Sequence, residues 1–128
     1  MIKFRLLLAA PVLAALALAG TAQAHAKLVS SLPAANATVA KPSKIVLTFN
    51  EKLVAKFAST TLTMTGMPGM ADHPPMKISG FTSVMSKDGK TLTLLMKRAL
   101  VAGTYNLKWA AAGADAHRTE GSFTFTVT

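Results

Sequence analysis

SFTFTVT, residues 122–128, decides the fold class because its apolar residues recur at every second position. On an extended strand Phe123, Phe125 and Val127 share one face, and serine and threonine residues occupy the other. Threonine on the outward face is typical of a pleated, half-exposed sheet surface. This stretch therefore predicts a β-strand with one face in a hydrophobic core.

The same alternation recurs in KIVLTF, TLTLLM and TYNLKW. Their predicted inward-facing residues are Ile45, Leu47 and Phe49, then Leu92, Leu94 and Met96, then Tyr105, Leu107 and Trp109. SKDGK at 86–90 predicts a hairpin turn, AGTY at 102–105 resembles a tyrosine corner, and EKLVAKF at 51–57 could form one helical turn. These features predict an all-β domain, a small Greek-key barrel or sandwich of the immunoglobulin-like or cupredoxin-like type.

The N-terminus has the three parts of a secretory signal peptide. Two basic residues come first, an apolar run follows at 6–20, and AQA at 22–24 supplies the small residues of a cleavage site. The run is shorter than the roughly 20 residues that a transmembrane helix needs. We expect residues 1–24 to be removed on export, which leaves a single domain, residues 25–128.

Composition excludes several kinds of chemistry. The sequence has no cysteine, so disulfides, thiolate metal sites and thiol catalysis are excluded. Without Lys3 and Arg5, the 14 basic residues fall to 12 against 5 acidic ones, which is a formal charge of +7. The basic residues are scattered singly and without interleaved aromatic residues, which does not favour nucleic-acid binding. We expect a monomer with a solvated basic surface and no nucleic-acid partner.

Signal cleavage would make His25 the first residue of the chain. Its α-amino nitrogen and its imidazole Nδ1 can hold one metal ion in a six-membered chelate ring, and nitrogen donors in a tetragonal arrangement favour Cu(II). DAH at 115–117 places Asp115 and His117 two apart, so on an extended segment both point to the same side. Together these residues would offer three nitrogens and one carboxylate oxygen. The alternatives are a histidine exposed by chance and an ordinary polar loop.

MTGMPGMADHPPM, residues 64–76, contains four of the seven methionines of the chain. The potential metal donors recur at every third position: Met64, Met67, Met70, His73 and Met76. Prolines and glycines exclude a regular helix here, so this rhythm is not a buried helical stripe. Thioethers are soft ligands that select Cu(I), and imidazole suits both oxidation states. The spacing favours a Cu(I) site, and the alternative is an adaptable apolar recognition loop.

At these residues the sequence resembles the CopC family of periplasmic copper-resistance proteins, in the branch with two copper sites. The resemblance covers essentially the whole chain after the signal peptide. It rests on HAKLVSSLPAANATV, IVLTFNEKLVAKF, LTMTGMPGMADHPPM, AGTYNLKWAAAGADAH and GSFTFTVT. It implies a small Greek-key β-barrel with a Cu(II) site at one end and a Cu(I) site at the other.

The resemblance also implies the ligands by position. Cu(II) would be bound by the α-amine and imidazole of His25 together with Asp115 and His117. Cu(I) would be bound by three or four of the following residues at once: Met64, Met67, Met70, His73 and Met76. Glu51 occupies the family's acidic position after the first long strand and is expected to support the Cu(II) ligands without binding the metal. Ala26 and Arg118 stand where relatives often have proline, and either change could lower Cu(II) affinity.

The sequence therefore predicts an exported copper-binding protein that stores or hands over copper and is not an enzyme. The resemblance implies a protein partner, either a copper-importing inner-membrane protein or a multicopper oxidase. A copper-dependent oxidative enzyme is the rival, because an amine with two imidazoles also resembles the site of copper monooxygenases. Asp115 argues against it, since a carboxylate in the fourth equatorial position occupies the site of oxygen activation. A third interpretation is a metal-free immunoglobulin-like interaction module.

Overall fold

The structure, a computed structural model, describes residues 25–70 and 73–128. The predicted signal peptide lies outside the described residues. Within these two ranges no helix is long and apolar enough to span a membrane. In this part of the chain the regular elements are strands and a single 3₁₀ turn at Ala55–Phe57, where one helical turn was predicted. The strands are β1 (Leu28–Leu32), β2 (Thr38–Val39), β3 (Lys44–Phe49), β4 (Ser59–Gly66), β5 (Met76–Ile78), β6 (Phe81–Met85), β7 (Thr91–Met96), β8 (Gly103–Ala112) and β9 (Arg118–Val127).

The strands form two sheets. The four-stranded sheet has the order β1-β3-β7-β6, with antiparallel neighbours throughout. The five-stranded sheet has the order β2-β9-β8-β4-β5 and is antiparallel except where the short β2 runs parallel to β9. The prediction of an all-β Greek-key fold is confirmed. The fold is a sandwich, because the two sheets do not close into a barrel.

The core lies between the sheets and consists of the residues that the alternation predicts. Every predicted inward-facing residue is buried except Met96, which is half-buried at the last position of β7. Tyr105 stacks on Phe125 with ring centroids 5.6 Å apart, and Phe49 meets Trp109 edge-on at 5.2 Å. Offset and edge-on geometries of this kind are the favourable ones for aromatic pairs. The aromatic residues of both sheets therefore pack in one continuous core.

The hairpin between β6 and β7 has the predicted turn. Gly89 has φ +71°, and its N–H donates to the Ser86 carbonyl at 3.0 Å. Asp88 accepts hydrogen bonds from the Ser86 hydroxyl and from the Lys90 N–H. These bonds, the serine one first, lower the pKa of Asp88 below its ordinary value. These hydrogen bonds and the left-handed Gly89 together close the predicted turn.

The predicted tyrosine corner is also present. The Tyr105 hydroxyl donates to the Val101 carbonyl at 2.7 Å. Burial of the ring raises the pKa of Tyr105 above its ordinary value. This bond ties the chain that enters β8 to the strand itself, which fixes the segment before β8 beside the core.

One strand connects the two regions in which the sequence predicts metal ligands. In β8, Tyr105 lies opposite Met64 of β4, and seven residues further on the strand ends at Ala112, just before residues 113–117. At about 3.3 Å per residue, those seven residues span about 23 Å. The two predicted sites therefore lie at opposite ends of the sandwich.

Candidate metal sites

The loop at residues 113–117 joins β8 to β9 and carries two of the predicted Cu(II) ligands. The Ala116 N–H donates to the Gly113 carbonyl at 3.0 Å, and the His117 N–H donates to Oδ1 of Asp115 at 3.1 Å. Ala116 has φ +60°, which is uncommon for a residue other than glycine. The prediction that residues 115–117 are extended is wrong, because the chain must reverse here between two paired strands. The turn nevertheless brings Asp115 and His117 together.

His25, which precedes β1, completes a cluster with these two side chains. Oδ2 of Asp115 lies 3.0 Å from Nδ1 of His25 and 3.5 Å from Nδ1 of His117. The two imidazole rings are 4.9 Å apart between centroids. One donor atom from each of the three residues lies within 4.8 Å of the others. A metal with ligand bonds of roughly 2 Å spaces its donors by up to roughly 4 Å, so small movements would close this set on an ion.

The chemistry of the donor set fits a metal. Nδ1 of His25 is shielded from solvent and makes no hydrogen bond of acceptable geometry, despite its short distance to Asp115. A shielded nitrogen without a hydrogen bond is costly unless something else binds its lone pair. Asp115 is one-fifth exposed, whereas His117 is largely exposed, so the cluster opens to solvent on the His117 side. An ion could reach it from that side.

Hydrogen bonds hold the N-terminal arm in place behind His25. Ala26 is fully buried, and its carbonyl accepts from the Thr119 hydroxyl at 2.7 Å. Oδ1 of Asn50 accepts from the Lys27 N–H at 2.7 Å, and Nδ2 of Asn50 is 3.4 Å from the His25 carbonyl. Sequence reasoning missed Asn50 and Thr119, because nothing in their local spacing points to the N-terminus. They fix the N-terminal arm, although position 26 lacks the proline that relatives often have there.

Glu51 lies behind the loop. A Cβ atom at Gly113 would overlap Oε1 of Glu51, so the carboxylate packs directly against the glycine that opens the loop. Oε1 is shielded from solvent and lacks a hydrogen bond. In the described part of the chain, no hydrogen bond joins Glu51 to His25, Asp115 or His117. Its contact with the site is therefore through the loop backbone.

Arg118 adds a positive charge directly after His117. Its guanidinium lies 3.1 Å from the carboxylate of Glu120, and both side chains are more than half exposed. An exposed ion pair of this kind contributes little to stability. The pair does hold the guanidinium of Arg118 beside the Glu120 carboxylate on β9, and this carboxylate partly neutralises the positive charge of Arg118.

The methionine segment forms a tight hairpin at the opposite end of the sandwich. Met64 of β4 lies opposite Met76 of β5. Beyond them, Met67 and Met70 exchange two backbone hydrogen bonds, of 3.0 and 2.9 Å, around Pro68-Gly69. Gly69 has φ +79°, and proline followed by a left-handed glycine is typical of a type II turn. The side chains of directly paired residues leave the backbone on the same face, so Met67 and Met70 start from the same side of the hairpin.

A cleft of about 440 Å³ opens beside this hairpin. Its walls are mainly apolar, and four methionines contribute to them: Met64, Met67, Met76 and Met96. Met64 is buried, whereas Met67 and Met76 are about half exposed. Sequence reasoning placed Met96 only on the inward face of a strand and did not connect it with the methionine segment. The structure brings three of the predicted Cu(I) ligands to one cleft.

Met70 and His73 are not among the residues that line the cleft. Met70 is 58% exposed at the turn. Nδ1 of His73 lies 2.7 Å from the Pro74 carbonyl, while its Nε2 is shielded from solvent without a hydrogen-bond partner in the described residues. Nε2 is therefore the ring nitrogen with a lone pair available for a metal. The structure brings Met70 and His73 to the same hairpin without joining them to the cleft.

The structure is a two-sheet β-sandwich with a histidine–carboxylate cluster at one end and a methionine hairpin at the other. These features define a class of small all-β proteins with candidate metal sites. Residues 28–128 match the model of the CopC domain family. The chain belongs to this family. It is 43% identical over 128 residues to copper resistance protein C of Xanthomonas campestris pv. juglandis, with 99% of each chain covered.

A second relative and a solved structure agree. Copper resistance protein C of Pseudomonas syringae pv. tomato is 46% identical over 106 residues, which cover 83% of this chain and 82% of the relative. The crystal structure of PcoC, described as a methionine-rich copper resistance protein from Escherichia coli, superposes with a TM-score of 0.74. That match is 41% identical and covers 82% of this chain and all of PcoC. The resemblance to the CopC family is thereby confirmed.

Proposed function

We propose that this protein binds copper in the periplasm, as part of copper resistance, and either sequesters it or hands it to another protein. The functional unit is residues 25–128, after removal of the signal peptide. Cu(II) binds at the N-terminal end of the sandwich and Cu(I) at the methionine hairpin. The observation that carries the proposal is the convergence of His25, Asp115 and His117, from distant parts of the sequence, in a member of the CopC family.

The Cu(II) site consists of the imidazoles of His25 and His117, one oxygen of Asp115 and the α-amine of His25. Three nitrogens and one oxygen suit the tetragonal preference of Cu(II). The shielded Nδ1 of His25, 3.0 Å from Asp115, supports this assignment because it is the nitrogen that forms a six-membered ring with the amine. Glu51 supports the loop through Gly113 and does not bind the metal.

The Cu(I) site draws on the residues of the hairpin: Met64, Met67, Met70, His73 and Met76. Thioethers are neutral and soft, so they stabilise Cu(I) in preference to Cu(II). The apolar cleft, which Met64, Met67 and Met76 line, and the backbone pairing of Met67 with Met70 support this assignment. A copper-importing membrane protein or a multicopper oxidase is the protein partner that we propose on the basis of the family.

The protein carries copper and does not catalyse a reaction. Asp115 supports this proposal, because its carboxylate lies between the two imidazoles and would fill the coordination position that an oxygen-activating copper site leaves open. An assay of copper-loaded protein with ascorbate and a polysaccharide should therefore detect no oxidative cleavage.

Acid is expected to release Cu(II) before Cu(I). Protons compete with Cu(II) for two imidazoles, an amine and a carboxylate, whereas thioethers have no proton to gain. Because bound Cu(II) competes with protons for its ligands, lowering the pH should empty the Cu(II) site only below the range in which free imidazole becomes protonated. The Cu(I) site should lose only the contribution of His73. The measurement is a pair of pH titrations of singly loaded protein, and equal acid sensitivity of the two sites would contradict the assignment.

A further inference from the structure

Met96 places a thioether in the cleft from the other sheet. It is the last residue of β7, in the four-stranded sheet, where it pairs with Phe81 of β6. Its N–H donates to the Ser43 carbonyl at 2.9 Å, which fixes its backbone at the cleft. Met64 and Met76, by contrast, lie in the five-stranded sheet. The cleft therefore lies where the two sheets face each other, and methionines line it from both sides.

Four thioethers line the cleft, those of Met64, Met67, Met76 and Met96, and their surroundings suit a soft monovalent ion. Ile78, Leu100 and Val101 provide apolar walls, which reduce competition from water. Lys97 and Arg98 also line the cleft, and their positive charges repel a divalent ion more strongly than a monovalent one. Neutral sulfur ligands among apolar walls and positive charges favour Cu(I) over Cu(II).

We propose that Met96 is a further Cu(I) ligand, acting with Met64, Met67 and Met76 in the cleft, so that the bound ion bridges the two sheets. The inference rests on the proposed Cu(I) site and extends it beyond residues 64–76. Met70 and His73 do not line the cleft and are not part of this ligand set.

The test follows the methyl groups of the methionines in the exported protein, labelled with ¹³C at each methionine Cε. Cu(I) is added under a reductant, and methyl resonances are recorded by NMR. The Met96 methyl should shift together with those of Met64, Met67 and Met76. The Met85 methyl should not move, because Met85 lies in β6 and lines a different hollow, beside Leu92.

A variant separates this inference from the Cu(I) site itself. Met96→Leu keeps the apolar bulk and should weaken Cu(I) binding by at least about tenfold, since losing a group that merely supports a metal ligand already costs about ten- to a hundredfold, while Met85→Leu leaves it unchanged. If the hairpin methyls shift but Met96 does not, and Met96→Leu binds Cu(I) as the native protein does, this inference is overturned and the hairpin site stands. If no methyl shifts, the proposed Cu(I) site fails and the inference fails with it. If the variant does not fold, the shift of the Met96 methyl in the native chain still tests whether Met96 is at the Cu(I) site.

Discussion

A chain that keeps Ala24 ahead of His25 is expected to bind Cu(II) about a hundredfold or more weakly than a chain beginning at His25, a loss of about 2.8 kcal/mol. In the longer chain the nitrogen of His25 belongs to a peptide bond, and its lone pair is delocalised into the carbonyl. The chelate ring between that nitrogen and Nδ1 cannot form unless copper displaces the amide proton. The remaining donors, two imidazoles and Asp115, would bind Cu(II) without the chelate.

The measurement is a Cu(II) titration of both chains, followed by quenching of Trp109, which is the only tryptophan. A chain that begins with alanine in place of His25 keeps the amine and loses the imidazole, so it should also bind weakly. Cu(I) binding should be equal in all three proteins, because the hairpin is about 23 Å away along β8. Equal Cu(II) affinities for chains starting at Ala24 and His25 would overturn the N-terminal chelate.

Replacing Met64, Met67, Met70 and Met76 with leucine together is expected to lower Cu(I) affinity about a thousandfold or more, a loss of about 4 kcal/mol. Leucine keeps the bulk and apolarity of methionine, so exchanges of this kind usually cost less than about 1.5 kcal/mol of stability each. Only Met64 of the four is buried, which limits the effect on folding. The variant loses the sulfur donors and retains the sandwich.

Cu(I) affinity is measured by competition with a coloured Cu(I) chelator under a reductant, and circular dichroism verifies the fold. Met85→Leu is the matched control, because it removes a methionine outside the hairpin and the cleft. Cu(II) binding should be unchanged in both proteins, since the two proposed ligand sets share no residue. If the variant with all four methionines replaced binds Cu(I) as tightly as the native protein, the methionines serve another purpose.

Local patterns in the sequence predict much of this fold. Alternation in β3, β7, β8 and β9 identifies the core, because a strand with one face buried must be apolar at every second position. The turn at residues 86–90 and the tyrosine corner at Tyr105 each have a residue requirement that can be read locally. The strands β1, β2, β4 and β5 were not predicted. β2 and β5 have too few residues to show a period, whereas β4 does alternate, with Leu62 and Met64 buried between threonines.

The sequence predicts the candidate sites only to the extent that the residue types themselves indicate which metal they would bind. The association of His25 with Asp115 and His117 follows from the donors that Cu(II) prefers, and the structure brings these three together. The turn at Ala116 was missed because the chain reversal that requires it depends on the pairing of β8 with β9. Met96 and Thr119 were missed for a related reason. Their contacts run between sheets or to the N-terminal arm, and no local spacing encodes them.

The measurement that tests the central claim most directly is loading of the exported protein with one equivalent each of Cu(II) and Cu(I). The account predicts that two copper ions bind at the same time. The electron paramagnetic resonance spectrum should show tetragonal Cu(II) with nitrogen ligands, unchanged by added Cu(I), and X-ray absorption should show sulfur neighbours around Cu(I). A total of one bound copper, or a Cu(II) signal that disappears when Cu(I) is added, would contradict two separate sites.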